Sequence, residues 1–362
     1  MINVLKPDMP SVNQLLPYLK SMATSHQYTN FGPLVTEFEQ RLLGVILSSK
    51  NNPKNLQCVT ASSGTSALEL ALSAYQFPKG SRVIVPAFTF PATITAVINA
   101  GYQPLIVDVD AKSWLLTPDI AESIMQSVDA RLILPVCALG LPQNLYLWTC
   151  FYKKFNIPVL IDAAAAIGGQ SADEGINVVF SFHATKPLGI GEGGAVLSCD
   201  AEWLADVRTL SNFGFSSGQV KKIGTNAKLS EYHAAVGLAQ LDRWHENVKW
   251  RTELAQNYFD QLGLAMFEFT MPNQQAIVPG VFCIAIENKA QQLCQQLKHC
   301  MIETRRWYQP ILPYHCAFKP YVGSEPYVTA DYLNESLVGL PFYRQINKKM
   351  VKKIISSIES LL

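Results

Sequence analysis

The sequence predicts an α/β domain with a mostly parallel sheet, followed by a smaller α+β domain. Three observations carry this. Between about residues 55 and 200, short β-branched runs alternate with helical stretches, the signature of βαβ units. Several of the runs are apolar throughout, which suits strands covered on both faces by helices. After about Asn226 the texture changes to a long helical stretch that no compact βαβ unit contains.

Taken in order, the strands are expected at "QCVTAS", "RVIVP", "PLIVDVD", "RLILPV", "PVLID", "NVVFSF" and "AVLS", which makes a seven-stranded sheet. Helices are expected between them, as in "TSALELALSAYQ" from Thr65 to Gln76 and "DIAESIMQSV", where apolar residues recur at helical spacing. The stretch "SEYHAAVGLAQLDRWHENVKWRTELAQNYFDQLG" reads as one or two connecting helices. From about residue 266, the short strand "GVFCIAIE", further helices and a closing amphipathic helix "NKKMVKKIISSIESLL" complete a smaller unit. The boundaries follow: 1–245 for the large domain, with an N-terminal arm at 1–27, and 246–362 for the small one.

Composition excludes several classes of function. The 362 residues are 49% hydrophobic and 16% charged, with a formal net charge of +1. Such a chain can bury a sizeable core and carries no electrostatic footprint for nucleic acid or anionic lipid. The N-terminal "MINVLKPDMPSVNQLL" lacks the basic-then-apolar order of a secretory signal. No run reaches the roughly 18–20 apolar residues of a membrane helix, since two prolines break "VIVPAFTFPATITAVINAG". The eight cysteines form no C-x-x-C pair and meet no histidine array, so no metal site is expected and they read as reduced thiols of a cytoplasmic protein.

The stretch "SFHATKPLGIGEGGAVLS" satisfies G-x-G-x-x-G at Gly189, Gly191 and Gly194. The context excludes a dinucleotide fingerprint, because that motif needs a helix directly after it and a strand follows here. A phosphate loop is excluded as well, since the lysine precedes the glycines. Lys186 remains, just beyond a strand, where open α/β sheets place their ligands. Asp162 closes the strand "PVLID" and, read alone, fits either a helix cap or a site carboxylate. "SSGTSALELAL" fits either an ordinary helix start or a cradle of free N–H groups and hydroxyls for an anion. Together, an amine, a carboxylate and a phosphate cradle at strand ends of one domain are the set that pyridoxal phosphate requires: an amine for its aldehyde, an acid for its ring nitrogen and a helix head for its phosphate.

With these residues in view, the chain resembles the DegT-type sugar aminotransferases, a branch of the fold-type I pyridoxal phosphate enzymes. The similarity runs from "YTNFGPL" to "ETRRWYQP" through "SSGTSALELAL", "VIVPAFTFPAT", "PLIVDVD", "LIDAAAAIGG", "FSFHATKPLGIGEGGAV" and "GTNAKLSEYHAAVGLAQLD", in family order. The resemblance implies Lys186 as covalent anchor and general base, and Asp162 as partner of the ring nitrogen. It implies Phe90 stacked on the ring, where a core phenylalanine is the other reading. Gly64, Thr65 and Ser181 would meet the phosphate, with His183 a neighbour of the cofactor. Asn226 would reach the phosphate held by the other subunit of a homodimer with shared sites, and Lys228 would contact substrate or only the interface. Tyr28, Asn30, Arg306 and Tyr308 are candidates for the sugar or its diphosphate. One departure stands out. Many members carry glutamine or histidine three residues after the aspartate, near the cofactor's phenolic oxygen, and this chain has Ala165.

The activity so implied is transamination from L-glutamate to a nucleoside-diphosphate-linked keto sugar. The expectation is a dTDP-linked 4-keto-6-deoxy hexose aminated at C4, in O-antigen, lipopolysaccharide or antibiotic pathways. Amination at C3, or a non-catalytic regulatory homologue that binds the cofactor, are the alternatives. Relatives with histidine in place of the lysine remove a hydroxyl instead; the presence of Lys186 favours amination.

Overall fold

A computed structural model describes residues 1–46, 53, 55–262 and 278–360. Part of the expected small domain, 263–277, lies outside the described residues. Helices α1 (Val12–Ser25) and α2 (Pro33–Ile46) precede β1 (Gln57–Ala61), α3 (Gly64–Ala74), β2 (Arg82–Pro86), α4 (Pro91–Asn99) and β3 (Gln103–Val107). Then come α5 (Pro118–Met125), β4 (Leu132–Ile133), α6 (Leu145–Phe155), β5 (Val159–Asp162), β6 (Ile176–Ser181), β7 (Gly194–Ser198) and α7 (Ala201–Ser211).

Among the described residues these seven strands form one sheet in the order β1-β7-β6-β5-β4-β2-β3. β7 runs antiparallel to both its neighbours, and the other pairings are parallel. All seven expected strands are therefore present. The apolar runs are explained by the two faces they serve: Val83 and Val85 of β2 enter one core with α3, α4 and α7, while Ile84 enters the other with α2, α6 and α8 (Glu231–Asp242). Side chains alternate across a strand, so a strand covered twice must be apolar at every position.

A short hairpin, β8 (Phe215–Ser216) and β9 (Gln219–Val220), lies between α7 and α8. The long helical stretch is two helices, α8 and α9 (Trp244–Leu262), parted at Arg243. Beyond it, β10 (Phe282–Ala285), α10 (Ala290–His299), α11 (Val328–Ser336), β11 (Leu337–Leu340) and α12 (Lys348–Glu359) follow. α9, α10 and α12 pack on the β10–β11 pair around Tyr258, Phe282, Leu293 and Ile354, a third hydrophobic cluster. The N-terminal arm joins it: Ile2 N–H donates to Met301 O, and Asp8 bonds Arg243 at 2.9 Å. Parallel strands that share direction put all their C-terminal ends on one edge, and that edge carries the residues of interest.

Candidate active site

The segments that follow β1, β2, β4, β5 and β6 converge at the carboxyl edge of the sheet around a cavity of about 360 Å³, whose wall the N-terminal arm and the segments 280–281 and 305–308 complete. Each arrives for a local reason. After β1, Ser63 caps α3 by accepting from Ser66 N at 3.0 Å. Gly64 and Thr65, whose first-turn N–H groups have no partner within a helix, then line the cavity. The helix start that "SSGTSAL" allowed is therefore present, and its head lines the cavity. After β2, Phe90 precedes Pro91 at the head of α4. Its ring is 56% exposed, so it is not a core phenylalanine.

Asp162 ends β5 and is buried. Its Oδ2 accepts from Thr93 Oγ1 at 2.8 Å and its Oδ1 from Ala164 N at 3.1 Å. Burial pushes its carboxyl above the usual carboxylate range, and Thr93, the Ala164 N–H and the Lys186 charge pull part of the way back. Lys186 follows β6 in a turn closed by its N–H on His183 O. Burial holds its ammonium below the ordinary lysine range; Asp162 opposes this, and Arg305 adds to it. Lys186 makes no hydrogen bond or contact ion pair among the described residues, so its amine is unspent.

The glycines after Lys186 have a packing role. A Cβ on Gly194 would lie 2.7 Å from Ser63 C and 2.8 Å from Gly64 N. β7 can press against the head of α3 only without a side chain there. Gly64 is equally confined, since its Cβ would meet Ser181 Cβ at 2.7 Å.

Of the other expected residues, Ser181, His183 and Tyr308 line the same cavity. His183 Nδ1 shares a 2.8 Å hydrogen bond with Thr185 Oγ1. Five residues stand elsewhere. Arg306 donates to the carbonyls of Leu337, Asn334 and Glu335 near the end of α11. Asn226 is exposed and bridged to Asn212. Lys228 donates to Asn212 Oδ1 at 2.8 Å, lies over the Phe213 ring, and is held below the usual lysine range by burial. Tyr28 stacks on Tyr232, and Asn30 lies in the left-handed region at φ 62°.

Sequence reasoning missed Arg305, Thr93 and Leu5. Arg305 lines the cavity with its guanidinium 4.2 Å from the Trp307 ring centroid and no carboxylate partner among the described residues. It pairs with Gly339 in an extended bridge, and adjacent residues of extended chain point opposite ways. One arginine of "RR" therefore enters the cavity and its neighbour does not. The signal for Thr93 was present: Thr89 and Thr93 are four apart at a helix start, and their hydroxyls lie 2.9 Å apart. Nothing in the sequence flags Leu5, which the arm brings into the cavity wall.

Comparison with known proteins places the fold and the family. A relative from Shigella dysenteriae named dTDP-4-amino-4,6-dideoxy-D-glucose transaminase is 29% identical, over 99% of both chains. A solved structure described as a PLP-dependent aminotransferase from Bacillus cereus superposes with a TM-score of 0.90 at 28% identity, covering 99% of each chain. DesI, solved in the presence of its TDP-sugar product, does so with a TM-score of 0.86 at 26% identity, over 99% of this chain and 92% of that one. The family model for DegT/DnrJ/EryC1/StrS aminotransferases matches residues 11–359, and the chain belongs to that family of pyridoxal phosphate-dependent enzymes.

Proposed function

We propose that this aminotransferase moves an amino group from L-glutamate to C4 of a dTDP-linked 4-keto-6-deoxy hexose. The observation that carries the proposal is the joint placement of an unspent amine, Lys186, and a buried carboxylate, Asp162, in one cavity. The Shigella relative's named substrate supports the sugar and the carbon.

The residues present fit pyridoxal phosphate. Gly64, Thr65 and Ser181 would hold its phosphate, Asp162 its ring nitrogen, Phe90 one face of its ring, and Lys186 its aldehyde, with His183 beside them. When bound, the cofactor supplies a carbonyl that joins amines and a ring that withdraws electrons. The chain's own groups do the rest. Burial keeps the Lys186 Nζ closer to neutrality, so it can act as nucleophile and then carry a proton at that nitrogen. Asp162, fixed through both oxygens, keeps negative charge where a ring cation would lie. Leu5, Leu139, Val281 and Trp307 wall the cavity with apolar surface that excludes water.

Arg305 supports an anionic donor, because a guanidinium at the cavity wall without a carboxylate partner suits one from the substrate. We read the exposed Phe213, Phe215 and Ile223, in the segment that runs to Asn226, as the interface of a homodimer. Asn226 would then serve the partner's cavity, and Lys228 and Tyr28 would lie near it. The 1–245 and 246–362 division is our reading, supported by the separate cluster around β10 and β11. No described helix is long and apolar enough to cross a membrane. The eight free thiols support a reducing, cytoplasmic setting.

The test is to mix holoenzyme with L-glutamate, follow conversion of the cofactor to its amine form by visible absorption, and then supply a panel of keto sugar nucleotides. Conversion followed by amination of a dTDP-4-keto sugar is expected. No conversion would favour the regulatory reading, and preference for a 3-keto sugar would move the reaction to C3.

A further inference from the structure

We infer that Tyr308 is a cofactor ligand: its hydroxyl donates a hydrogen bond to the phenolic oxygen of bound pyridoxal phosphate, on the flank where Ala165 offers only a methyl group. The inference rests on the cofactor assignment above and adds a residue to it.

The geometry is specific. The Tyr308 oxygen accepts from Leu139 N at 3.2 Å, while its own hydrogen has no acceptor among the described residues. Tyr308 is half-buried in the cavity wall, and its hydroxyl, with no acceptor among the described residues, can donate to a molecule held in the cavity. Tyr308 lines the cavity together with Lys186, Asp162 and Ala165. The ring is fixed by Phe88, edge-on at 5.1 Å between centroids, and by Trp307 at 6.2 Å. Its partner Leu139 belongs to the turn whose next residue, Gly140, abuts Ala165: a Cβ on Gly140 would lie 2.9 Å from Ala165 O. The Tyr308 hydroxyl and Ala165 thus lie on one side of the cavity.

That side is otherwise poor in donors. Val136 and Leu139 are apolar, and the Cys137 thiol is directed to Gln170 Oε1 at 3.4 Å. The titratable groups facing Tyr308 are Asp162, Cys137 and Cys283, with Lys186 and Arg305 also lining the cavity. Burial raises the phenol above its ordinary range, so it is a neutral donor across the working pH range. A neutral donor stabilises a deprotonated oxygen more than a protonated one.

The experiment titrates the visible absorption of holoenzyme with pH, without substrates. Tyr308→Phe is expected to raise the midpoint by about one pH unit or more, since the deprotonated form loses a hydrogen bond to an ionised acceptor. Replacing Tyr308 by 3-fluorotyrosine keeps the shape and makes the phenol a stronger donor, so the midpoint should fall. This second variant decides the matter if Tyr308→Phe does not fold or retain cofactor. A Tyr308→Phe midpoint within about 0.2 unit of the parent's, or a fluorotyrosine midpoint unchanged or raised, overturns the inference. A cofactor-loaded parent protein that shows no visible absorption band would instead overturn the cofactor assignment to Lys186, so the two failures are distinct.

Discussion

Thr93 Oγ1 donates a 2.8 Å hydrogen bond to Asp162 Oδ2 and is itself within 2.9 Å of Thr89 Oγ1, all three groups being buried. This hydroxyl pair opposes the burial that raises the Asp162 carboxyl. Thr93→Val keeps the shape and removes the donor, so the carboxyl should stay protonated to higher pH. The acidic limb of the kcat/KM profile is then expected to move up by about one to two pH units, the worth of a hydrogen bond to a charged group. An unmoved limb would show that Thr93 does not tune Asp162.

Lys186 and Asp162 also make the cofactor-free protein less stable than it could be. Lys186 is depressed in the folded state, so its contribution to stability is present above the ordinary lysine value of 10.5 and is lost as pH falls through the folded value. Asp162 is raised, so its contribution is present below 3.8 and is lost as pH rises through the folded value. At neutral pH both act against folding. Lys186→Met, which replaces a buried ion with apolar volume, should raise the Tm of cofactor-free protein at pH 7 by about 2 °C while abolishing turnover. The gain should shrink toward pH 10, and differential scanning calorimetry reads both effects. A lower Tm at pH 7 would contradict the assignment of a strained amine.

Besides Lys186, Arg305 brings to the cavity a cation with no carboxylate partner among the described residues. Arg305→Gln should raise KM for glutamate by about tenfold to a hundredfold, the range expected for a charge-assisted pair. Cofactor affinity should hold, and Arg306→Gln should leave KM for glutamate alone because its guanidinium is spent on three carbonyls. Equal effects of the two variants on KM would count against the distinction.

Gly194→Ala tests the packing role of the glycine run. Its methyl must displace Ser63 and Gly64 at the head of α3, an overpacking that costs about 1–3 kcal/mol. Chemical denaturation should show that loss, with weaker cofactor retention alongside it. Unchanged stability would mean that the strand and helix head are not in contact as described.

The sequence was most informative where one physical rule acts locally. The seven strands were legible because apolar runs such as "RVIVP" and "PVLID" must serve two cores, and Lys186 and Asp162 followed from where those runs end. Arg305 was not legible against Arg306, because which of two adjacent arginines turns inward depends on a long-range bridge to Gly339. Leu5 and Tyr308 reach the cavity from opposite ends of the chain, and no local pattern encodes such a meeting. Asn226 lies on the surface, outside the cavity that holds Lys186, so the sequence block marks it without the fold bringing it to the site.

On this reading the Lys186 amine is the group that joins the cofactor. Reduction of holoenzyme with borohydride, then digestion and mass mapping, reads it directly. A reduced pyridoxyl adduct on the peptide bearing Lys186, and on no other, is the expected result. An adduct on a different lysine, or none at all from cofactor-loaded protein, would contradict the account.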